Sequence, residues 1–148
     1  MSSDPTRGAG KPIPAGIWRL NPGRSKLLAP KTMTLWILKN TERELAWVAV
    51  ESDEKDDLRV ISWRGSYGGP PARCTGIGIE ARLTGAAQEG IRTEGEFPGV
   101  GTFTEVCTLE EGGKRMICRG EVAAPNGKMT YLEDFDWVGP SPHDPKRF

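Results

Sequence analysis

At 148 residues the chain suffices for one domain with its own core and falls short of two ordinary ones. Acidic and basic residues balance at 20 each and form no basic stripe, so nucleic acid is not the expected partner. No stretch has the length of an apolar membrane span, and 19 glycines among short apolar runs suit an all-β chain rich in turns.

Residues 1–15, MSSDPTRGAGKPIPA, have no apolar core of signal-peptide length and read as a flexible lead-in. GIWRL, Gly16–Leu20, is the first predicted strand. MTLWILKN follows a proline-containing loop, and RELAWVAVES returns after a short turn. The charged loop SDEKDD leads into LRVISWRGSY, and GGPPARCTG is a turn-rich connection. IGIEARLTG, EGIRTEGEF, VGTFTEVCTLE, KRMICRGEVA and KMTYLEDFDW complete the series. The tail, residues 139–148, is loop-like and holds the single histidine, His143. A histidine-based dyad in the core is therefore not expected. No useful length of chain carries a 3.6-residue apolar period. Sequential hairpins hide their edges by closing on themselves. The expected fold is an all-β, antiparallel up-and-down β-barrel of eight to ten strands over residues 16–138, with a β-sandwich as the alternative.

GIWRLNPGRSK, KTMTLWI, SYGGPPARCTG and the hairpin LEEGGKRMIC resemble a group of bacterial lipocalin-like (calycin-type) proteins of largely uncharacterised function. Their first strand reads Gly-x-Trp-x-Leu-Asn and is followed by a Ser-Lys element. The resemblance spans Gly16 to about Val138. It implies an eight- to ten-stranded cup around an apolar cavity, with Trp18 plugging one end. It implies no reaction, and neither Glu105 nor Glu133 is a hallmark of its pattern.

Turn chemistry predicts the register of the last three strands. Asn126-Gly127 is the preferred pair for a type I′ hairpin. That turn sets Val122 opposite Tyr131, Gly120 opposite Glu133, Cys118 opposite Phe135, and Met116 opposite Trp137. On the other face it sets Arg119 opposite Asp134 and Ile117 opposite Asp136, as water-facing groups. A turn centred on Gly112-Gly113 sets Leu109 opposite Met116, Cys107 opposite Cys118, Glu105 opposite Gly120, and Phe103 opposite Val122. Both hairpins put the same apolar face inside. Glu105, Gly120 and Glu133 then share one level, with the two outer backbones about 10 Å apart. Trp36, Trp47 and Trp63 form a further inward row if their hairpins turn near Thr41–Glu42 and Glu54–Lys55. Tyr67, Ile77 and Ile79 can join that wall. Arg64 and Arg92 face inward only if the local register shifts.

Two carboxyls in an apolar cup cannot both ionise cheaply. One protonated and one charged glutamate would give a general acid and a general base without a cofactor. The candidate catalytic residues are Glu105 and Glu133. The candidate substrate-binding residues are Trp36, Trp47, Trp63, Tyr67, Phe103, Gly120, Tyr131 and Phe135. The expected substrate is a small apolar, cyclic or aromatic molecule. The expected chemistry is of isomerase, lyase, cyclase or hydratase type. Three other readings remain. The acids can be solvated or structural polar plugs, the barrel can be a non-catalytic carrier or sensor, or it can be filled and serve as a structural, dimeric interaction protein. The apolar outer faces of MTLWIL and AWVAV favour a homodimer in each case.

No CxxC or Cys/His zinc spacing is present, so no metal site is expected. Cys107 and Cys118 are read as reduced neighbours in the cytoplasm rather than as a disulfide. Cys74 lies in a loop without a role. ESDEKDD is read as a solvated turn, since it lacks the spacing of a calcium loop. TGIGIE has no following helix to make it a phosphate loop.

Overall fold

The structure, a computed structural model, describes residues 12–142. Residues 1–11 of the expected lead-in and His143 lie outside the described residues. The strands are β1 (Gly16–Leu20), β2 (Lys31–Asn40), β3 (Glu44–Asp53), β4 (Leu58–Ser66), β5 (Ala72–Arg73), β6 (Glu80–Thr84), β7 (Ile91–Phe97), β8 (Gly101–Glu110), β9 (Arg115–Ala124) and β10 (Gly127–Pro140). They form one ten-stranded antiparallel sheet in which β1 pairs with β10 and the other neighbours follow chain order. The sheet curls into a nearly closed barrel. Its seam lies between β4 and the β5–β6 hairpin, held by the bridges Ser62↔Thr75 and Tyr67↔Leu83. Pro70 and Pro71 interrupt the chain there, because proline has no N–H to give to a ladder.

Alternation explains which side chains fill the interior. Ile13, Trp18, Ile37, Leu45, Leu83 and Met116 are almost wholly buried. Ile13 belongs to the expected lead-in, yet it packs into this core, and Asn40 Nδ2 donates to its carbonyl at 2.9 Å. Trp18 is fully buried and meets Trp137 edge-on at 4.9 Å between ring centres. The opposite end opens between segments 27–30 and 53–57 and the loops before β6 and β8.

The β8–β9 hairpin has the expected register, with Glu105 opposite Gly120 and Cys107 opposite Cys118. The β9–β10 hairpin is displaced by two residues. Tyr131 lies opposite Gly120, Glu133 opposite Cys118, Phe135 opposite Met116, and Asp134 opposite Ile117. The cause is Pro125. Its ring presets the negative φ of a turn's first central residue, so the two-residue turn is Pro125–Asn126. Asp56 is the one non-glycine residue with positive φ among those described, so Asn126 does not adopt the φ a type I′ turn demands. A two-residue displacement preserves the faces but changes every level.

Two further expectations are corrected. Cys107 and Cys118 are joined in a disulfide, S–S 2.08 Å, and are not reduced thiols. Asp134 is not a water-facing partner of Arg119. It is 2 % exposed and paired with Arg115 and Arg24. The reason is the short β1. Below Leu20 the neighbour of β10 is no longer a strand but the segment 21–26, which covers Asp134. Asn21 N donates to the Asp134 carbonyl at 2.8 Å, and Lys26 bridges Leu132. Burial alone would raise the Asp134 pKa, but hydrogen bonds from both arginines outweigh it and hold it below the usual carboxylate range. This network positions the following residues, 27–30, over the mouth.

On the outer face of β3 and β4, Val50, Leu58 and Val60 are exposed, and the single chain leaves them uncovered.

Candidate ligand-binding site

The barrel encloses a cavity of about 620 Å³, open at the mouth. It is not filled by its own side chains, contrary to one of the readings above. The volume is in the range of small-molecule sites. Its walls are mostly apolar. Trp47 and Trp63, direct cross-strand partners on β3 and β4, form one side, and Phe103 and Phe135 line it from β8 and β10. Ile77 and Ile79 contribute from the loop before β6. Cys74 also lines the cavity, and burial pushes its thiol pKa up.

Three expected lining residues lie elsewhere. A bulge between Ile37 and Lys39 slips β2 by one residue, so Trp36 faces Val48 and points outward. Its Nε1 donates to Ser141 Oγ at 2.9 Å. Tyr67 closes the far end, where its hydroxyl meets Asn40 Oδ1 at 2.6 Å, and burial pushes its pKa up to about 12. Gly120 is not empty space. The Tyr131 ring lies over it, and a Cβ there would run into that ring. Arg64 and Arg92 are both exposed.

The two glutamates line the cavity but do not share a level. Glu105 stands with Gly120 and Tyr131, and Glu133 stands one step away beside Cys118. The Tyr131 hydroxyl donates to Glu105 Oε1 at 2.7 Å. Glu105 Oε2 lies 3.5 Å from Cys107 Sγ, which has no proton to donate as half of a disulfide. Burial pushes the Glu105 pKa up to about 7, and the nearby charge of Glu133 adds to this. The Tyr131 hydrogen bond and Lys31 act the other way without prevailing. Burial and the same carboxylate raise the Tyr131 pKa.

Glu133 has a cation. Lys31 Nζ lies 2.7 Å from its Oε2 and 3.4 Å from Glu51 Oε2, and Arg59 reaches Glu51 Oε1 at 2.9 Å. Burial alone would lower the Lys31 pKa, but the two carboxylates outweigh it and hold it above the ordinary value. Lys31, Glu51 and Arg59 were not among the sequence candidates. Two-residue spacing could have found the first two, since Lys31 shares a face with Met33 and Leu35, and Glu51 with Trp47 and Ala49. Reading ESDEKDD as a solvated turn holds for residues 53–57 and fails at Glu51, which is 7 % exposed.

Ligand atoms of Glu105, Cys107 and Cys118 converge within 4.8 Å, but the disulfide removes both thiolates as metal ligands.

A search of solved structures finds zebrafish ileal bile acid-binding protein, in a complex with cholic acid. The TM-score is 0.52, with 9 % identity over 84 % of this chain and 98 % of that one. The shared fold is an antiparallel, lipocalin-like barrel. At that identity the likeness shows the barrel alone. No protein-family model and no curated protein matches the sequence. The Gly-x-Trp-x-Leu-Asn likeness of the first strand therefore stays a resemblance. No helix among the described residues is long and apolar enough to cross a membrane.

Proposed function

We propose that this barrel takes up one small apolar molecule and carries or senses it without changing it. The observation that carries the reading is the open apolar cavity of about 620 Å³. Burying about 200 Å² of ligand surface there would gain about 5 kcal/mol before association costs. The likeness to a bile acid-binding barrel supports the same reading at the level of the fold.

The test uses the neutral apolar dye N-phenyl-1-naphthylamine. Its emission is expected to rise and shift to the blue with saturable one-to-one stoichiometry. Thr93→Trp, which places a large side chain in the cavity wall, is expected to abolish the signal while the fold is retained. Absence of saturable binding to the wild-type protein would overturn the proposal.

A second reading is acid–base catalysis at Glu105. It is favoured by a carboxyl whose pKa is pushed to about 7 beside an apolar cavity and a tyrosine hydroxyl. Glu133 takes no reciprocal role in this version, because Lys31 holds it. Isomerase, lyase, cyclase or hydratase chemistry would proceed with Glu105 as the single proton carrier. Recovery of a bound compound unchanged after prolonged incubation supports the carrier. A product whose formation disappears in Glu105→Gln supports the catalyst.

A further inference from the structure

The polar groups of the cavity are unevenly signed. The carboxylates Glu51, Asp53, Asp57, Glu105 and Glu133 line it against the cations Lys31 and Arg59. At the mouth Lys31 is shared by Glu133 and Glu51, Arg59 pairs with Glu51, and Asp53 Oδ1 accepts from the backbone N–H groups of Lys55 and Asp57. Glu105 stands apart. Its Oε1 accepts from Tyr131 at 2.7 Å, and the sulfur beside its Oε2 carries no proton. A half-satisfied carboxyl therefore stands away from the charged mouth group, with Phe103 two residues away on the same strand face.

Resting on the reading of the barrel as a small-molecule binder, we propose that its ligand class is the hydrophobic amine, with the ammonium received at Glu105. The argument is one of charge and hydrogen bonding. An ammonium supplies the donor that Oε2 lacks and balances the surplus acid in a poorly solvated place. The aromatic walls favour a cation over an anion. An organic acid at the same depth would meet Glu105 and Glu133. It would surrender its hydration without gaining a free cation, because Lys31 is already divided between two glutamates. An alcohol would supply the hydrogen bond but leave the charge of Glu105 unbalanced. The site thus differs in ligand sign from a pocket built for carboxylates.

The test is isothermal titration at pH 8 with ligands of one carbon skeleton: 1-naphthylmethylamine, 1-naphthalenemethanol and 1-naphthoate. The amine is expected to bind about tenfold more tightly than the alcohol and about a hundredfold more tightly than the acid. In Glu105→Gln the amine is expected to lose its advantage over the alcohol measured in that same variant. An acid or alcohol that binds the wild-type protein as tightly as the amine overturns the proposal and leaves the binding reading standing. Failure of all three to bind overturns the amine proposal, and overturns the binding reading as well only if N-phenyl-1-naphthylamine also fails to bind. An amine advantage that survives in Glu105→Gln overturns the assignment to Glu105.

Discussion

Glu105 and Glu133 occupy neighbouring levels of one wall and meet opposite surroundings. Glu133 stands 2.7 Å from Lys31, in a chain of alternating charges that reaches Glu51 and Arg59 at the mouth. Glu105 stands beside a neutral phenol at 2.7 Å. Burial raises the pKa of the second to about 7, while the first has an ammonium as its partner. The difference teaches that residue type and face do not determine a carboxyl's charge inside a barrel. For Glu105 burial comes first, and the groups around it follow.

Removing that cation should break the contrast most. Lys31→Met leaves Glu133 and Glu51 facing each other across the mouth. It is expected to cost about 3 kcal/mol at pH 7, read as a fall in Tm. A Tm unchanged at pH 7 would show that the ion pairs are solvated rather than structural.

Gly120→Ala acts on the other member of the comparison. The added methyl must displace the Tyr131 ring, at a cost of about 2.5 kcal/mol. It should also separate the phenol from Glu105. Because that hydrogen bond lowers the Glu105 pKa, its loss should raise the value further, as followed by carboxyl carbon NMR. An unshifted Glu105 titration would deny that the phenol lowers the Glu105 pKa.

The pH dependence sharpens the same contrast. The Glu105 pKa is raised in the fold, from an ordinary 4.5 to about 7. The folded chain therefore holds this proton more tightly than the unfolded one. The resulting stability is fully present below the ordinary value and is lost as pH rises through about 7. Glu105→Gln should abolish that loss, making the variant more stable than wild type by about 3 kcal/mol at pH 8 and nearly equal at pH 4. Chemical denaturation at the two pH values measures it, and parallel curves would refute it.

Tyr131→Phe is the mildest change. It should cost about 1 kcal/mol and raise the Glu105 pKa while leaving the ring over Gly120. A crystal structure together with the NMR titration checks both parts.

Most of the architecture was legible because alternation and turn residues are local signals. β1 and the β8–β9 register lie where the sequence placed them, and the Trp47–Trp63 pair follows from a tight turn between β3 and β4. The misreadings have local physical causes too. Asn126-Gly127 is a strong hairpin signal, but Pro125 claims the first turn position and moves every level of β10. A bulge near Leu38 is invisible in composition, and it turns Trp36 outward. Glu51 was hidden by its charged neighbours, although its spacing from Trp47 and Ala49 points inward. Asp134 could not be read from its own hairpin, because what buries it comes from residues 21–26, far away in sequence.

Gly120 has a consequence for reading related barrels. A position without a side chain fixes where a phenol can lie and, through it, how strongly a carboxyl on the next strand keeps its proton. The polarity of the chamber wall is thus encoded partly by a residue that has no polarity of its own. In a chain of this fold, a glycine set between an inward acid and an inward tyrosine on the flanking strands would announce the same arrangement before any coordinates were known.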